Sequence, residues 1–432
     1  MSADPRAAAV ANLLAVLDGR SLDEVLASEP QPDDERDRAL AAELSYGVCR
    51  WYRRLDALLG RLLRKPLKAR DRDLQVLMMV GAYQLLYSRV PPHAALSSCV
   101  EVTRRLNKAW ASKLVNGVLR RLQREADALG SEVDRDPAQK FALPDWLFAA
   151  IDGAWPAQRD VVLAALQVRP PMTLRVDLRH STRADYTEQL AAAGITAQAH
   201  PSVPSALMLD RARAVERLPG FAAGHVSVQD AGAQLAAEYL DLRPGQRVLD
   251  ACAAPGGKTL AILQRAQSLD VTALDIDAQR LQRVDENVRR GGYRIEMVAA
   301  DAASPSGAWC GRPFDRILVD VPCSASGVLR RHPDIRLLRR ASDIAGLVQR
   351  QAAILDAMWS LLAPGGRLLY VTCSLLPAEN ADQFEAFVDR HPMAEAVELP
   401  TTPGTSSGKG VQLLPGIDDT DGFYYAAVRK PL

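Results

Sequence analysis

Apolar residues recur every three or four positions through the first third of this chain, then give way to short apolar blocks. Leu40, Leu44, Val48, Trp51, Leu55, Leu58 and Leu62 keep the helical period, which predicts one long amphipathic helix. Leu74, Leu77, Met78, Gly81 and Leu85 repeat it in the segment DRDLQVLMMVGAYQLLYS. The prolines of RVPPHA interrupt the pattern, and SSCVEVTRRLNKAWASKLVNGVLRRLQREAD supplies two more helical pieces. No unit of fixed period repeats.

Between residues 141 and 228 the pattern changes. PMTLRVDLR and SALMLDR read as strands, and STRADYTEQLAAAG as a helix closed by glycine, so a small α/β linker domain is expected. From residue 229 onward strands and helices alternate. QRVLDA, VTALDID, RIEMVAAD, FDRILVDV, RLLYVTCS and GFYYAAVRK are the strands. KTLAILQRAQ, AQRLQRVDENVRRGG and a long segment running to Gly365-Gly366 are the helices. Alternation of this kind predicts a doubly wound, mostly parallel sheet, with ligands beyond the carboxyl ends of its strands. The expected architecture is therefore multi-domain: an all-α N-terminal domain over 1–140, a small α/β domain over 141–228 and a Rossmann-like α/β domain over 229–432.

A length of 432 residues with 48% hydrophobic and 24% charged content suits two or three folded cores. The start MSADPRAAAVANLLAVLDG has no basic segment leading into an apolar block, and no stretch approaches the roughly 20 apolar residues of a membrane span. A soluble cytoplasmic protein is expected. The six cysteines (Cys49, Cys99, Cys252, Cys310, Cys323 and Cys373) form no C-x-x-C pair and have no histidine cluster beside them. Neither a metal site nor a disulfide framework is expected.

The net charge of +1 hides an asymmetry, because residues 50–124 hold 17 Lys plus Arg against 4 Asp plus Glu. A solvated helical surface is one reading of that excess; a face for a polyanion is the other.

The candidate chemistry lies at the ends of the later strands. VLDACAAPGGKT turns tightly from strand to helix through Cys252, Ala253, Ala254, Pro255, Gly256, Gly257 and Lys258. A P-loop would need glycine where Cys252 stands, and G-x-G-x-x-G is absent. The turn fits S-adenosylmethionine better, whose zwitterionic end can use backbone amides and a nearby acid such as Asp250. Asp275, at the next strand end, is placed for both ribose hydroxyls, and Asp301, after the third, for the adenine amino group. Each acid alone can be a helix cap or a solvated strand end; three after successive strands are harder to dismiss.

Two thiols follow two further strands, Cys323 in DVPCSASG and Cys373 in YVTCSLLPAEN. Methyl transfer to C5 of cytosine needs a thiolate to add at C6, because C5 is otherwise a poor nucleophile. One cysteine can attack, while a second, or a base near it, resolves the adduct. Lys258 is the nearest cation for activating a thiol, and Asp320 is placed for the cytosine edge at N3 or N4. Cys49, Cys99 and Cys310 read as small buried apolar groups. The target cytosine must leave its stack, which favours single-stranded or loop RNA.

These segments resemble the RNA cytosine-5 methyltransferases of the NOL1/NOP2/Sun family. DACAAPGGKT, ALDID, AAD, DVPCSASG and YVTCSLLPAEN match its motif series in order. The resemblance implies that Cys373 is the nucleophile, with Cys323 aiding product release; DNA cytosine methyltransferases attack from a Pro-Cys cysteine, so Cys323 is the rival. GVLRRHPDIRLLRR, RPPMTLRVD, HVSVQDAGAQ and LPGIDDTDGFYYAAVRK are similar to its bacterial RsmB-type subgroup, and the basic helices to the NusB-like RNA-binding domain that subgroup carries. The resemblance implies a class I methyltransferase domain acting on 16S ribosomal RNA at one cytosine, position 967 in the usual rRNA count. One departure is Val321, where alanine is more usual. Arg330, Arg331, Arg336, Arg339 and Arg340 are expected to form a basic segment at the pocket mouth. A monomer with 16S ribosomal RNA as partner and no membrane contact is expected. The same chemistry on transfer RNA or 23S rRNA, and a non-catalytic RNA-binding or antitermination factor, remain the alternatives.

Overall fold

The structure, a computed structural model, describes residues 4–417 and 419–432. They divide into two compact units, one of residues up to 156 with 329–341, the other of residues 157–328 with 342–432. The first is helical: α1 (Pro5–Leu17), α2 (Leu22–Ser28), α3 (Glu35–Leu62), α4 (Arg72–Tyr87), α5 (Pro92–Arg105), α6 (Ser112–Val133), α7 (Pro137–Lys140) and α8 (Asp145–Ala154). The side chains of Asp4, Ser21 and Asp34 accept backbone N–H groups at the starts of α1, α2 and α3. Pro92 occupies the first turn of α5, where a missing N–H costs nothing, so the predicted break is also a helix start. The helical stripes of α3 and α4 meet in one core with α1, α5 and α6. Gly47 lets α3 approach α4 closely, since a Cβ there would lie 2.1 Å from the Tyr83 ring.

The second unit begins with α9 (Arg159–Ala165), followed by β1 (Thr173–Val176), α10 (Arg183–Ala192), β2 (Ala197–Ala199), β3 (Ala206–Leu209) and β4 (Val226–Val228). The strands form an antiparallel sheet in the order β2-β3-β1-β4, and α10 buries Tyr186 and Leu190 in the core that this sheet shares. Next come α11 (Ala231–Tyr239), β5 (Arg247–Ala251), α12 (Gly257–Arg265), β6 (Asp270–Asp275), α13 (Ala278–Arg290), β7 (Glu296–Ala299) and β8 (Phe314–Asp320). After α14 (Ile335–Leu338), which belongs to the first unit, follow α15 (Asp343–Ser360), β9 (Leu362–Thr372), α16 (Ala381–Arg390), β10 (Glu395–Val397), β11 (Thr405–Ser407), β12 (Gly410–Leu413) and β13 (Phe423–Arg429).

The large sheet runs β11-β12-β13-β9-β8-β5-β6-β7, with β10 pairing the last residues of β13 on the edge that β12 also uses. β9, β8, β5, β6 and β7 are parallel, and β13 joins antiparallel to β9. The chain therefore winds outward in both directions from β5 and β8. That pair is the switch point where a doubly wound sheet opens a crevice. One expected boundary moves: α15 stops at Ser360, and Ala363-Pro364-Gly365-Gly366 lies within β9. Pairing explains this, since Gly365 N–H donates to Lys430 O and Lys430 N–H to Gly366 O.

Two of the five arginines expected to form a basic segment, Arg330 and Arg336, are buried, while Arg340 is exposed. Residues 329–341 fold into the helical unit, where Arg330 is 5% and Arg336 1% exposed. Arg336 Nη1 donates to the carbonyls of Arg50 (3.0 Å) and Phe141 (3.3 Å), and Arg50 Nη2 donates to Arg330 O (2.8 Å). Leu22 N–H is capped by Asp334 Oδ2. These arginines knit carbonyls together, so phosphates cannot reach Arg336. Arg336→Ala is expected to destabilise the protein by about 2–4 kcal/mol in urea titrations, because it strands buried carbonyls and leaves a void. The salt dependence of its RNA binding at temperatures well below unfolding should stay at the wild-type slope.

Candidate active site

β5 ends in Asp250 and Ala251, and the chain then turns through Cys252, held at φ +62°, and Gly256, at φ +94°. A Cβ on Gly256 would come within 2.9 Å of the Val284 backbone, so the turn and α13 need glycine there. Side chains from neighbouring strands and helices fix the turn. Ala254 N–H donates to Asp275 Oδ2 (3.1 Å), Arg280 Nη2 to Ala254 O (3.1 Å) and Asn287 Nδ2 to Pro255 O (2.9 Å). From the small sheet, buried Arg175 donates to Gly257 O (2.8 Å) and to the side chains of Gln229 and Gln264. Burial pushes its pKa down to about 10.

Asp250 is fully buried, with Oδ2 accepting from Thr259 Oγ1 at 2.6 Å and Oδ1 meeting no donor among the described residues. Burial pushes its pKa up to about 7. Asp275 is 3% exposed and also accepts from Asp277 N–H. Asp301 pairs with Arg350 of α15 through both guanidinium nitrogens, Nη1 lying 3.0 Å from Oδ2. That hydrogen-bonded guanidinium holds Asp301 below the usual carboxylate range. Asp320, ending β8, takes a 2.5 Å bond from Lys258 Nζ. Burial alone would lower the Lys258 pKa; the Asp320 charge and hydrogen bond outweigh it and hold the ammonium protonated, with the Cys373 sulfur adding to the effect.

The two sequence-predicted thiols meet. Cys323 Sγ and Cys373 Sγ lie 3.4 Å apart, well beyond the roughly 2.05 Å of a disulfide. The hydrogen bond with Cys373 comes first, then burial, in raising Cys323 well above the ordinary thiol value, so Cys323 rests as S–H. Beneath them Glu379, fully buried, ties the two cysteine loops together. Its Oε1 accepts from Ser324 N–H (2.8 Å) and Gln351 Nε2 (3.1 Å), and Oε2 from Ser374 Oγ (2.6 Å). Gln351 also donates to Pro322 O, Gly327 N–H to Cys373 O and Leu375 N–H to Ser326 Oγ.

A cavity of about 380 Å³ opens over these groups, within the usual size of small-molecule sites. Cys252, Ala254, Asp275, Asp320, Cys323 and Cys373 line it, together with Arg350, Arg280 and apolar Ile276, Val321 and Ile354. Ala253, Pro255, Gly256 and Gly257 lie in the turn beside it, and Lys258 reaches it through Asp320. Asp301 is not in the lining but touches it through Arg350. Val321 packs at 4% exposure and donates to Val371 O, so the larger side chain is absorbed at the cavity wall. Cys49 and Cys99 are buried in the helical core, and Cys310 lies outside the site. No group of His, Cys, Asp or Glu suited to a metal ion occurs among the described residues. No helix among them is long and apolar enough to cross a membrane.

Sequence reading missed Arg175, Arg350, Gln351 and Glu379. Arg175 and Glu379 stand inside the segments RPPMTLRVD and YVTCSLLPAEN. Nothing in spacing shows that they reach across to the glycine turn or the thiol loops.

Comparison with known proteins gives three family matches: 16S rRNA methyltransferase RsmB/F over residues 237–429, the NusB family over 3–124, and the RsmF/B-like ferredoxin-like domain over 143–216. Ribosomal RNA small subunit methyltransferase B of Pseudomonas putida is 48% identical, covering 99% of this chain and 98% of its own. The protein of the same name from Klebsiella pneumoniae is 46% identical over 95% of this chain and 94% of its own. Among solved structures, PH0851 superposes over 100% of both chains with a TM-score of 0.78 and 21% identity. NSun6 from Pyrococcus horikoshii, solved with SFG, matches 66% of this chain and 98% of its own, with a TM-score of 0.59 and 20% identity. The last two establish likeness of fold.

A pH prediction follows from Asp250. Its folded pKa of about 7 lies above the reference 3.8, so its contribution to stability is full below 3.8 and is lost as pH rises through about 7. Asp250→Asn keeps a neutral group of the same shape. Urea titrations from pH 4.5 to 8 should show wild type losing stability relative to this variant, by about 3 kcal/mol across the window. A difference that is flat with pH would mean the carboxyl is not buried neutral.

Proposed function

The chain belongs to the RsmB/F family of 16S rRNA methyltransferases, and on that footing we propose that it methylates C5 of a single cytosine in 16S rRNA, position 967 in the usual count, with S-adenosylmethionine as donor. The observation that carries this reading is the pair of sulfurs 3.4 Å apart on the wall of a cavity that Asp275 and Asp320 also line. Bound there, the cofactor supplies a methyl group on a positively charged sulfur.

The chain's own residues divide the remaining work. Asp275 takes the ribose, and the turn from Cys252 to Lys258 holds the methionine end near the unpartnered oxygen of Asp250. Asp301, freed from Arg350, takes the adenine amino group. Cys373 attacks: its thiolate bonds to C6 of a flipped cytosine, and the displaced electron pair makes C5 a nucleophile toward the methyl. Asp320, paired with Lys258, accepts from the cytosine N4 amino group and fixes the ring. A base then removes the C5 proton, the C5=C6 bond reforms and the C6–S bond breaks, returning Cys373. Cys323 assists that release, because its neutral S–H lies in reach of the departing sulfur.

The substrate is tested by bisulfite sequencing of total RNA from a deletion strain. Loss of one modified position in 16S rRNA is expected; loss from transfer RNA or 23S rRNA would overturn the substrate assignment. The roles are tested in vitro with labelled cofactor. Cys373→Ala should lower turnover by at least about 10³-fold while cofactor binding persists. Cys323→Ala should accumulate a covalent protein–RNA species on a denaturing gel. The opposite pattern would exchange the two roles.

A further inference from the structure

A second charged cavity, of about 470 Å³, lies at the other end of the large sheet. Arg316 precedes Asp320 by four residues on β8, which puts it roughly 13 Å back along the strand from the thiol site. In the sheet register Arg316 is paired with Arg367 of β9, and Arg367 with Arg429 of β13. Directly paired residues project from the same face, so three guanidiniums stand side by side across three strands, all lining the cavity with Arg243.

The acids present do not neutralise this row. Asp241 takes Arg316 and Arg243, and Glu395 takes Arg429. That leaves four guanidiniums against two side-chain carboxyls in the cavity lining. Arg367, in the middle, meets no hydrogen-bond acceptor among the described residues, and its Nε is buried. Burial pushes its pKa down; the nearby Asp241 charge opposes this and Arg316 adds to it. Like charges paired directly across strands are destabilising unless something lies between them.

We propose that this row is a binding cradle for a phosphate-class anion. Its centre is Arg367, flanked by Arg316 and Arg429. Arg316 already donates to Asp241 and Asp315 and Arg429 to Glu395, whereas the planar guanidinium of Arg367 has no acceptor among the described residues and suits bidentate recognition of phosphate oxygens. The source is either a phosphodiester of the RNA substrate, held at a distance from the reacting base, or a free phosphate. The RNA source rests on the function proposed above; the phosphate chemistry does not.

The test compares wild type with Arg367→Gln in the full chain. In thermal denaturation, inorganic phosphate should raise the wild-type midpoint by about 4 °C over sodium chloride of equal ionic strength, and raise the variant's by less than half as much. Without phosphate at low salt the variant should be about as stable as wild type, since no acceptor is lost and the attraction to Asp241 and the repulsion from Arg316 oppose each other. Binding of a 16S-derived RNA hairpin is then titrated against salt. A log–log slope shallower by about 0.7–0.9 in the variant identifies an RNA phosphate as the occupant. An unchanged slope with the phosphate effect intact supports the cradle and assigns it a free anion. If phosphate does not stabilise wild type and the RNA slope is unchanged, or if Arg367→Gln is destabilising without phosphate, the cradle is refuted. Methyl transfer at saturating RNA is measured alongside: its absence from both proteins, with the phosphate effect present, would sink the proposed function and leave the cradle standing.

Discussion

The active-site geometry depends on how one buried carboxyl group, Glu379, is satisfied. It is fully buried and carries donors from two loops that lie some fifty residues apart in sequence, Ser324 N–H after β8 and Ser374 Oγ after β9. A polar group in such a place must find partners or cost several kcal/mol. Two of its donors belong to the residues that follow the two cysteines and the third is Gln351 Nε2 of α15, so satisfying Glu379 ties the two cysteine loops to each other and to that helix. Gln351 extends the same network to the carbonyl of Pro322, and Tyr370 caps the Glu379 carbonyl. The thiols are thus set by a network behind them and leave the cavity side open.

The glycine turn is governed by a comparable device on the opposite wall. Arg175 is buried and reaches from the small antiparallel sheet to the carbonyl of Gly257. Its removal would leave that carbonyl and the Gln229 and Gln264 side chains without their shared donor. The small sheet is therefore part of the scaffold that holds the glycine turn.

Much of this was legible in the sequence, for reasons that differ by element. The periodicity of Leu44 to Leu62 and the strand–helix alternation after residue 229 report directly on burial, and the fold follows them. The turn at Gly256 stood out because a positive φ favours glycine, and Cys323 and Cys373 because each follows an apolar run that reads as a strand; the structure brings the two sulfurs to 3.4 Å. What could not be read were side chains whose partners come from elsewhere in the fold. Arg336 looks like a phosphate ligand in sequence and is a buried carbonyl clasp in space. Asp301 looks like a free strand-end acid and is held by Arg350. The cross-strand row of Arg316, Arg367 and Arg429 exists only once the register is known.

The central claim is that the sulfur on the loop after β9 bonds the pyrimidine while its neighbour after β8 waits as a thiol. RNA carrying 5-fluorocytidine at the target position tests it directly, because fluorine at C5 cannot leave as a proton and the adduct is trapped. Digestion of the trapped wild-type complex followed by mass spectrometry should place the nucleotide on the peptide containing Cys373. A nucleotide found on the peptide containing Cys323, or no adduct at all, would contradict the account.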